Sequence, residues 1–138
     1  MKTRLLFTLF SAFSFFIISC SSDENNGGGV IGGGSDPIKL SNKKISFSSE
    51  ANSVTITSQS KWWKIGDIRL NDEKFGFNSE IAAQQSFILK YNEFQIERKE
   101  GTTIIININK NTTNQDRNLI ITLQEGNYYD NINISQAK

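Results

Sequence analysis

The chain of 138 residues has no histidine, one cysteine, one proline and one methionine. Without histidine there is no imidazole base, no Ser-His triad and no histidine-ligated metal. A single cysteine excludes an internal disulfide and a thiolate zinc cluster. The formal net charge is only +1, with 15 basic and 14 acidic side chains, so the strongly basic face of a nucleic-acid binder is missing. No cofactor is implied. The length leaves room for one ordinary domain. Helix-forming stretches are few, and glycine, serine and asparagine are plentiful, which leans towards an all-β fold.

The first residues are an address. Lys2 and Arg4 are followed by a mainly apolar run, Leu5–Ile18. A membrane-spanning helix needs about 20 residues, so this run is the core of a signal peptide spanning 1–19. It ends in Ile17-Ile18-Ser19-Cys20, which resembles the bacterial lipoprotein box. In such proteins the signal is cut before the cysteine, whose sulfur and amine are then acylated. More than one acyl chain gives stable anchoring. Ser21-Ser22-Asp23-Glu24 resembles the surface-export signal of Bacteroidetes lipoproteins, or else begins a solvated linker. The expectation is a lipid anchor at Cys20 in a bacterial outer membrane, with the protein exposed on the cell surface. Once Lys2 and Arg4 leave with the signal, 13 basic side chains face 14 acidic ones, and no electrostatic partner is suggested.

Residues 20–36 read as the lipidated cysteine and a flexible tether. The stretch holds six of the ten glycines and cannot bury enough surface to fold. As a flexible coil it reaches on the order of 20 Å. A phosphate-cradling loop would need a strand before it and a helix after it, and Pro37 follows instead.

Residues 37–138 then form one compact unit with period-two patterning. Ile45 and Phe47, Val54 and Ile56, Ile104, Ile106 and Ile108, Leu119, Ile121 and Leu123, and Ile132 and Ile134 each alternate with mostly polar neighbours. Such strands, wet on one face, belong to antiparallel sheets. Ser49–Asn52 reads as a hairpin link and Gly126-Asn127 as a tight hairpin turn. Asn109–Asp116 reads as a polar loop. Ser79–Ser86 is the one candidate helix, capped by Ser79. The predicted fold is an all-β, antiparallel β-sandwich.

Particular residues carry a family resemblance. Ile104–Asn111 runs into Thr112-Thr113 and Arg117, then the strand Leu119–Leu123, Gly126-Asn127-Tyr128-Tyr129-Asp130, and a closing Ile132-Asn133-Ile134-Ser135-Gln136. Upstream stand Ile45-Ser46-Phe47, Val54-Thr55-Ile56 and Trp63-Lys64-Ile65. Over about Leu40–Lys138 this resembles the BACON domain. Phe94-Gln95-Ile96 stands where that family commonly has a second tryptophan, and Gly66–Asn92 is longer than the usual connection. The resemblance implies an immunoglobulin-like β-sandwich of Bacteroidetes envelope proteins, found beside glycan-degrading modules, with a carbohydrate or mucin ligand. It makes Trp63, Asn111, Arg117 and Gln136 motif residues with structural duties. Asn111 can cap a turn, and Arg117 can fork onto a carboxylate or loop carbonyls.

The ligand-binding candidates are aromatic. If Trp63 faces the core, Trp62 faces water and can stack on a sugar ring, unless it packs beneath Gly66–Asn92. Phe75 and Phe77 form either an aromatic platform or an extra strand at the sandwich edge. Tyr129, after the Gly126-Asn127 turn, is a contact residue or part of a structural corner. Glu97-Arg98-Lys99-Glu100 reads as a solvated turn. The carboxylates Asp67, Asp72, Glu73, Glu80, Glu93, Asp116 and Asp130 fall in apparent loops. A small sandwich offers little cleft for the paired carboxyls of a glycosidase, and the clustered spacing of a calcium site is absent. The expectation is a non-enzymatic surface lipoprotein that binds a glycan or mucin-type glycoprotein. The alternative is a spacer or protein-interaction subunit of an outer-membrane complex without a glycan site.

Overall fold

The computed structural model describes residues 35–138. The signal peptide, Cys20 and nearly all of the tether lie outside the described residues. Nine strands and one helical turn follow in order: β1 Lys44–Phe47, β2 Asn52–Thr57, β3 Lys64–Leu70, β4 Glu73–Lys74, α1 Ser79–Ala82, β5 Phe87–Lys90, β6 Phe94–Lys99, β7 Thr103–Ile108, β8 Arg117–Glu125 and β9 Tyr128–Gln136. They form a five-stranded sheet, β1-β9-β8-β3-β4, and a four-stranded sheet, β2-β7-β6-β5. The two sheets pack against each other, and the fold is the expected all-β sandwich.

The period-two positions meet between the sheets. Ile56, Phe94, Ile96, Ile104, Ile106 and Ile108 of one sheet face Ile65, Ile68, Leu119, Ile121, Leu123, Ile132 and Ile134 of the other, all buried. The many isoleucines suit this arrangement, because β-branched side chains pack well on a pleated surface. Ile38, ahead of the first strand, is fully buried and anchors the start of the domain.

The structure departs from the sequence pattern at three places. Ser49–Asn52 is not a hairpin. It carries the chain from β1 in one sheet to β2 in the other, so that β1 pairs with β9 in parallel while β2 pairs with β7. The crossing is held by partners remote in sequence. The Ser49 carbonyl accepts from the Asn111 amide at 2.7 Å, and the Glu50 carbonyl accepts from Gln136 Nε2 at 3.0 Å. The helical turn is capped by Asn78 rather than Ser79, its side chain accepting from Glu80 N and Ile81 N. Glu97–Glu100 is not a solvated turn. Its first three residues end β6, and Arg98 falls on the inner face in register with Phe94 and Ile96.

The Gly126-Asn127 turn is as read, joining β8 to β9 with Glu125 opposite Tyr128. Gly126, at the first turn position, has φ +58°, which suits glycine there. Asn109–Asp116 is irregular loop, also as read.

Candidate functional site

Arg98 organises one end of the sandwich. It is only 1% exposed, and all five of its N–H donors are used on backbone carbonyls. Nε and Nη2 reach Gly101 O at 3.1 and 2.9 Å. Nη1 reaches Trp63 O and Gln84 O, each at 2.9 Å, and Nη2 also reaches Lys61 O at 2.9 Å. The guanidinium lies 3.5 Å from the centroid of the Trp63 ring. Trp63 is itself buried and donates Nε1–H to Ser58 Oγ at 2.9 Å. Burial pushes the Arg98 guanidinium down to about 10, so it remains a cation at neutral pH. A buried cation with no carboxylate is tolerated here because carbonyl dipoles take the place of water.

The consequence is local. Arg98 grips the carbonyls of Lys61 and Trp63, on either side of Trp62, while Trp63 is drawn into the core. Trp62 is left pointing outward, 72% exposed, with its amide tied to Ser60 Oγ at 3.1 Å. The neighbouring hairpin contributes to the same clamp. Gly101, at φ +79°, carries the carbonyl that Arg98 holds twice, and a Cβ there would stand 2.7 Å from Lys61 Cβ.

Trp62 lines an open cleft of about 550 Å³. Its other walls include Asp36, Pro37 and Lys39 from the start of the domain, Gln59 and Lys61 from the β2–β3 link, and Glu125 from the end of β8. The Lys61 ammonium lies 5.5 Å from the Trp62 ring centroid. Glu125 Oε2 is buried with no hydrogen-bond partner among the described residues. The cleft thus combines a tryptophan face with amide, ammonium and carboxylate groups.

The first wall is fixed electrostatically. Asp36 Oδ1 accepts from Ile38 N at 3.0 Å and Lys39 N at 2.9 Å. Lys43 bridges Asp36, at 3.0 Å, and Asp130, at 2.7 Å. Asp130, read as a loop residue, sits buried in β9 instead. Partial burial opposes the charge on Asp36, but hydrogen bonds from Lys39 N and Lys43 and the Lys43 charge hold its carboxyl below the usual range. Burial likewise opposes the Lys43 cation, and the two carboxylates outweigh it and raise its pKa. A depressed carboxyl stabilises the fold above its unfolded pKa of 3.8 and ceases to do so as pH falls through its folded value. The raised Lys43 stabilises below its unfolded pKa of 10.5, a contribution lost only in strong alkali. Thermal melts should therefore hold steady down to about pH 4 and then drop. Lys43→Met should lower the melting temperature near neutrality and flatten part of that acid-side drop. An unchanged acid limb would refute the bridge's role.

The other predicted site residues separate into two groups. Tyr129 is 58% exposed, on the outer face of β9. Phe75 and Phe77 are half-buried and pack on the core, so they form no exposed aromatic platform. Phe75 meets Tyr91 and Phe94 edge-on, with ring centroids 5.1 Å from each. Trp62 does not pack under the 66–92 segment, which is itself built of the rest of β3, β4, α1 and β5.

Asn111, Arg117 and Gln136 form a buried polar knot at a different place in the fold. Asn111 Nδ2 donates to Gln115 O at 2.8 Å and Ala137 O at 2.9 Å, and its Oδ1 accepts from Thr113. Arg117 Nη1 approaches Asn109 O, Lys110 O and Gln136 Oε1, each at 3.4 Å. Gln136 Nε2 closes the knot on Asn109 O at 3.0 Å. These bonds tie the β7–β8 loop, the β1–β2 crossing and the C-terminal strand together.

Among the described residues no group of three or more Cys, Asp or Glu side chains is placed to hold a metal, and no helix is long and apolar enough to cross a membrane. No family model matches the chain, and no curated protein matches it. One solved structure is similar, described as the NMR structure of a protein from Bacteroides thetaiotaomicron. It is 18% identical, has a TM-score of 0.59, and the match covers 84% of this chain and 93% of that one. At that identity the likeness shows the fold alone.

Proposed function

We propose that this protein is a non-enzymatic, BACON-like surface lipoprotein that binds a glycan in the Trp62 cleft. The observation that carries the reading is the placement of Trp62: a ring 72% exposed, on backbone clamped from both sides, in a cleft of about 550 Å³. Exposed tryptophan costs solvation without helping the core, and a flat apolar ring is the surface on which the CH face of a pyranose stacks. Gln59, Lys61 and Glu125 supply donors and acceptors for sugar hydroxyls. The lipid-anchor part of this reading is supported by the sequence around Cys20, and a surface anchor accords with a polysaccharide or mucin ligand.

Trp62→Ala should weaken glycan binding at least tenfold, while the melting temperature moves by no more than about 3 °C, as for an exposed substitution. Isothermal titration and a thermal melt on the same preparation check both. A large loss of stability with unchanged binding would make Trp62 structural and favour the spacer role.

A further inference from the structure

We infer that the ligand is an oligosaccharide chain read at two aromatic positions, Trp62 and Tyr129, rather than a single terminal sugar. This rests on the glycan reading of the Trp62 cleft and extends it across the outer face of the five-stranded sheet. Strand register carries the argument. Lys64, the first residue of β3, stands opposite Gln124 of β8, and Gln124 stands opposite Tyr129 of β9. The three form one row across the sheet, two strand spacings wide, or about 10 Å. Trp62 lies two residues ahead of that row, where the chain leads into β3, and it is exposed like Lys64 while Trp63 between them is buried. Two residues of chain add at most about 7 Å. The Trp62 and Tyr129 positions are then on the order of 10 Å apart at the level of the backbone, the span of a short oligosaccharide.

Between the two rings the surface is open and polar. Gln124 donates Nε2–H to Gly126 O at 3.0 Å, which orients the amide, and its Oε1 accepts no hydrogen bond among the described residues. Lys64 is exposed and in no ion pair among the described residues. One acceptor and one cationic donor therefore lie along the path from ring to ring. Tyr129 presents a ring and a hydroxyl at the end of a nine-residue strand. Tyr129 and Trp62 are the two strongly exposed rings among the described residues.

The test is chain-length dependence. The protein, Tyr129→Ala and Trp62→Ala are titrated calorimetrically with ladders of β-linked glucose, xylose, mannose and N-acetylglucosamine, each from monosaccharide to hexasaccharide. The affinity for the ladder that binds should rise between the disaccharide and the tetrasaccharide. Tyr129→Ala should remove that rise, about tenfold on the tetrasaccharide, and leave the disaccharide unchanged. Trp62→Ala should weaken every length. Binding that is already complete with one or two sugars, or a Tyr129→Ala variant that binds the tetrasaccharide as tightly as the parent, overturns the two-ring reading and leaves the Trp62 cleft standing. No binding by any ladder, with mucin also silent, overturns the two together.

Discussion

Arg98→Ala is expected to lower the unfolding free energy by about 5 kcal/mol, a third or more of the stability of an ordinary domain. The substitution strips donors from four carbonyls, those of Lys61, Trp63, Gln84 and Gly101. The Trp63 and Gly101 carbonyls, whose bonds to Arg98 are buried, cost about 1–3 kcal/mol each when left unpaired, and the part-buried Lys61 and Gln84 carbonyls cost less. The substitution also opens a cavity against the Trp63 ring and removes the cation from it. The desolvation that pushes Arg98 down to about 10 returns part of this, which keeps the total below the sum. Arg98→Met separates the causes: it fills most of the volume without donating, and should still lose about 3 kcal/mol. Arg98→Lys keeps the charge but has three donors and no planar fork, so its loss should be of similar size. Urea midpoints at unchanged m-value measure all three. A loss under about 1 kcal/mol for alanine would mean that the carbonyls find other donors and that Arg98 does not organise this end of the sandwich.

The second large effect falls on Trp63. Trp63→Ala should cost about 4 kcal/mol through the cavity and through the lost bond to Ser58 Oγ. Trp63→Phe should cost about half of that, because a ring remains under the guanidinium. Since Arg98 and Trp63 touch, their losses should not add. A double-mutant cycle should show a coupling of about 1 kcal/mol or more. Strict additivity would mean that the 3.5 Å contact is adjacency without energy. The neighbouring Trp62 gives the contrast. Two adjacent tryptophans differ from 1% to 72% exposed, so one should govern stability and the other binding.

Much of the fold was legible because alternation is a local signal. Ile104, Ile106 and Ile108, or Leu119, Ile121 and Leu123, announce a buried face without knowledge of any partner. Pairing is not local. The four residues between β1 and β2 have hairpin length, yet the strands belong to different sheets. That choice is made by Asn111 and Gln136, some 60 to 90 residues away, taking the Ser49 and Glu50 carbonyls. The burial of Arg98 is hidden in the sequence for a different reason. Two charges of each sign in four residues resemble a wet turn, but the parity of Phe94 and Ile96 already put position 98 on the inner face. No sequence pattern shows that backbone carbonyls from three separate segments converge there to hold it. The same holds for the cleft. Trp62 could be named, whereas Asp36, Gln59 and Glu125 reach it only through tertiary packing. Phe75 and Phe77 mark the opposite limit, since aromatic spacing by two fits an exposed platform as well as a buried edge.

The central claim is that Trp62 meets a sugar. The most direct measurement is a glycan-array screen of the protein across plant, host and microbial glycans, with intrinsic tryptophan fluorescence recorded for each hit and repeated on Trp62→Phe. Trp63 is buried beneath Arg98 and should report little. The account predicts a reproducible hit that shifts the emission of the parent and loses that shift in the variant. A blank array, or a hit whose emission change survives in Trp62→Phe, would contradict it.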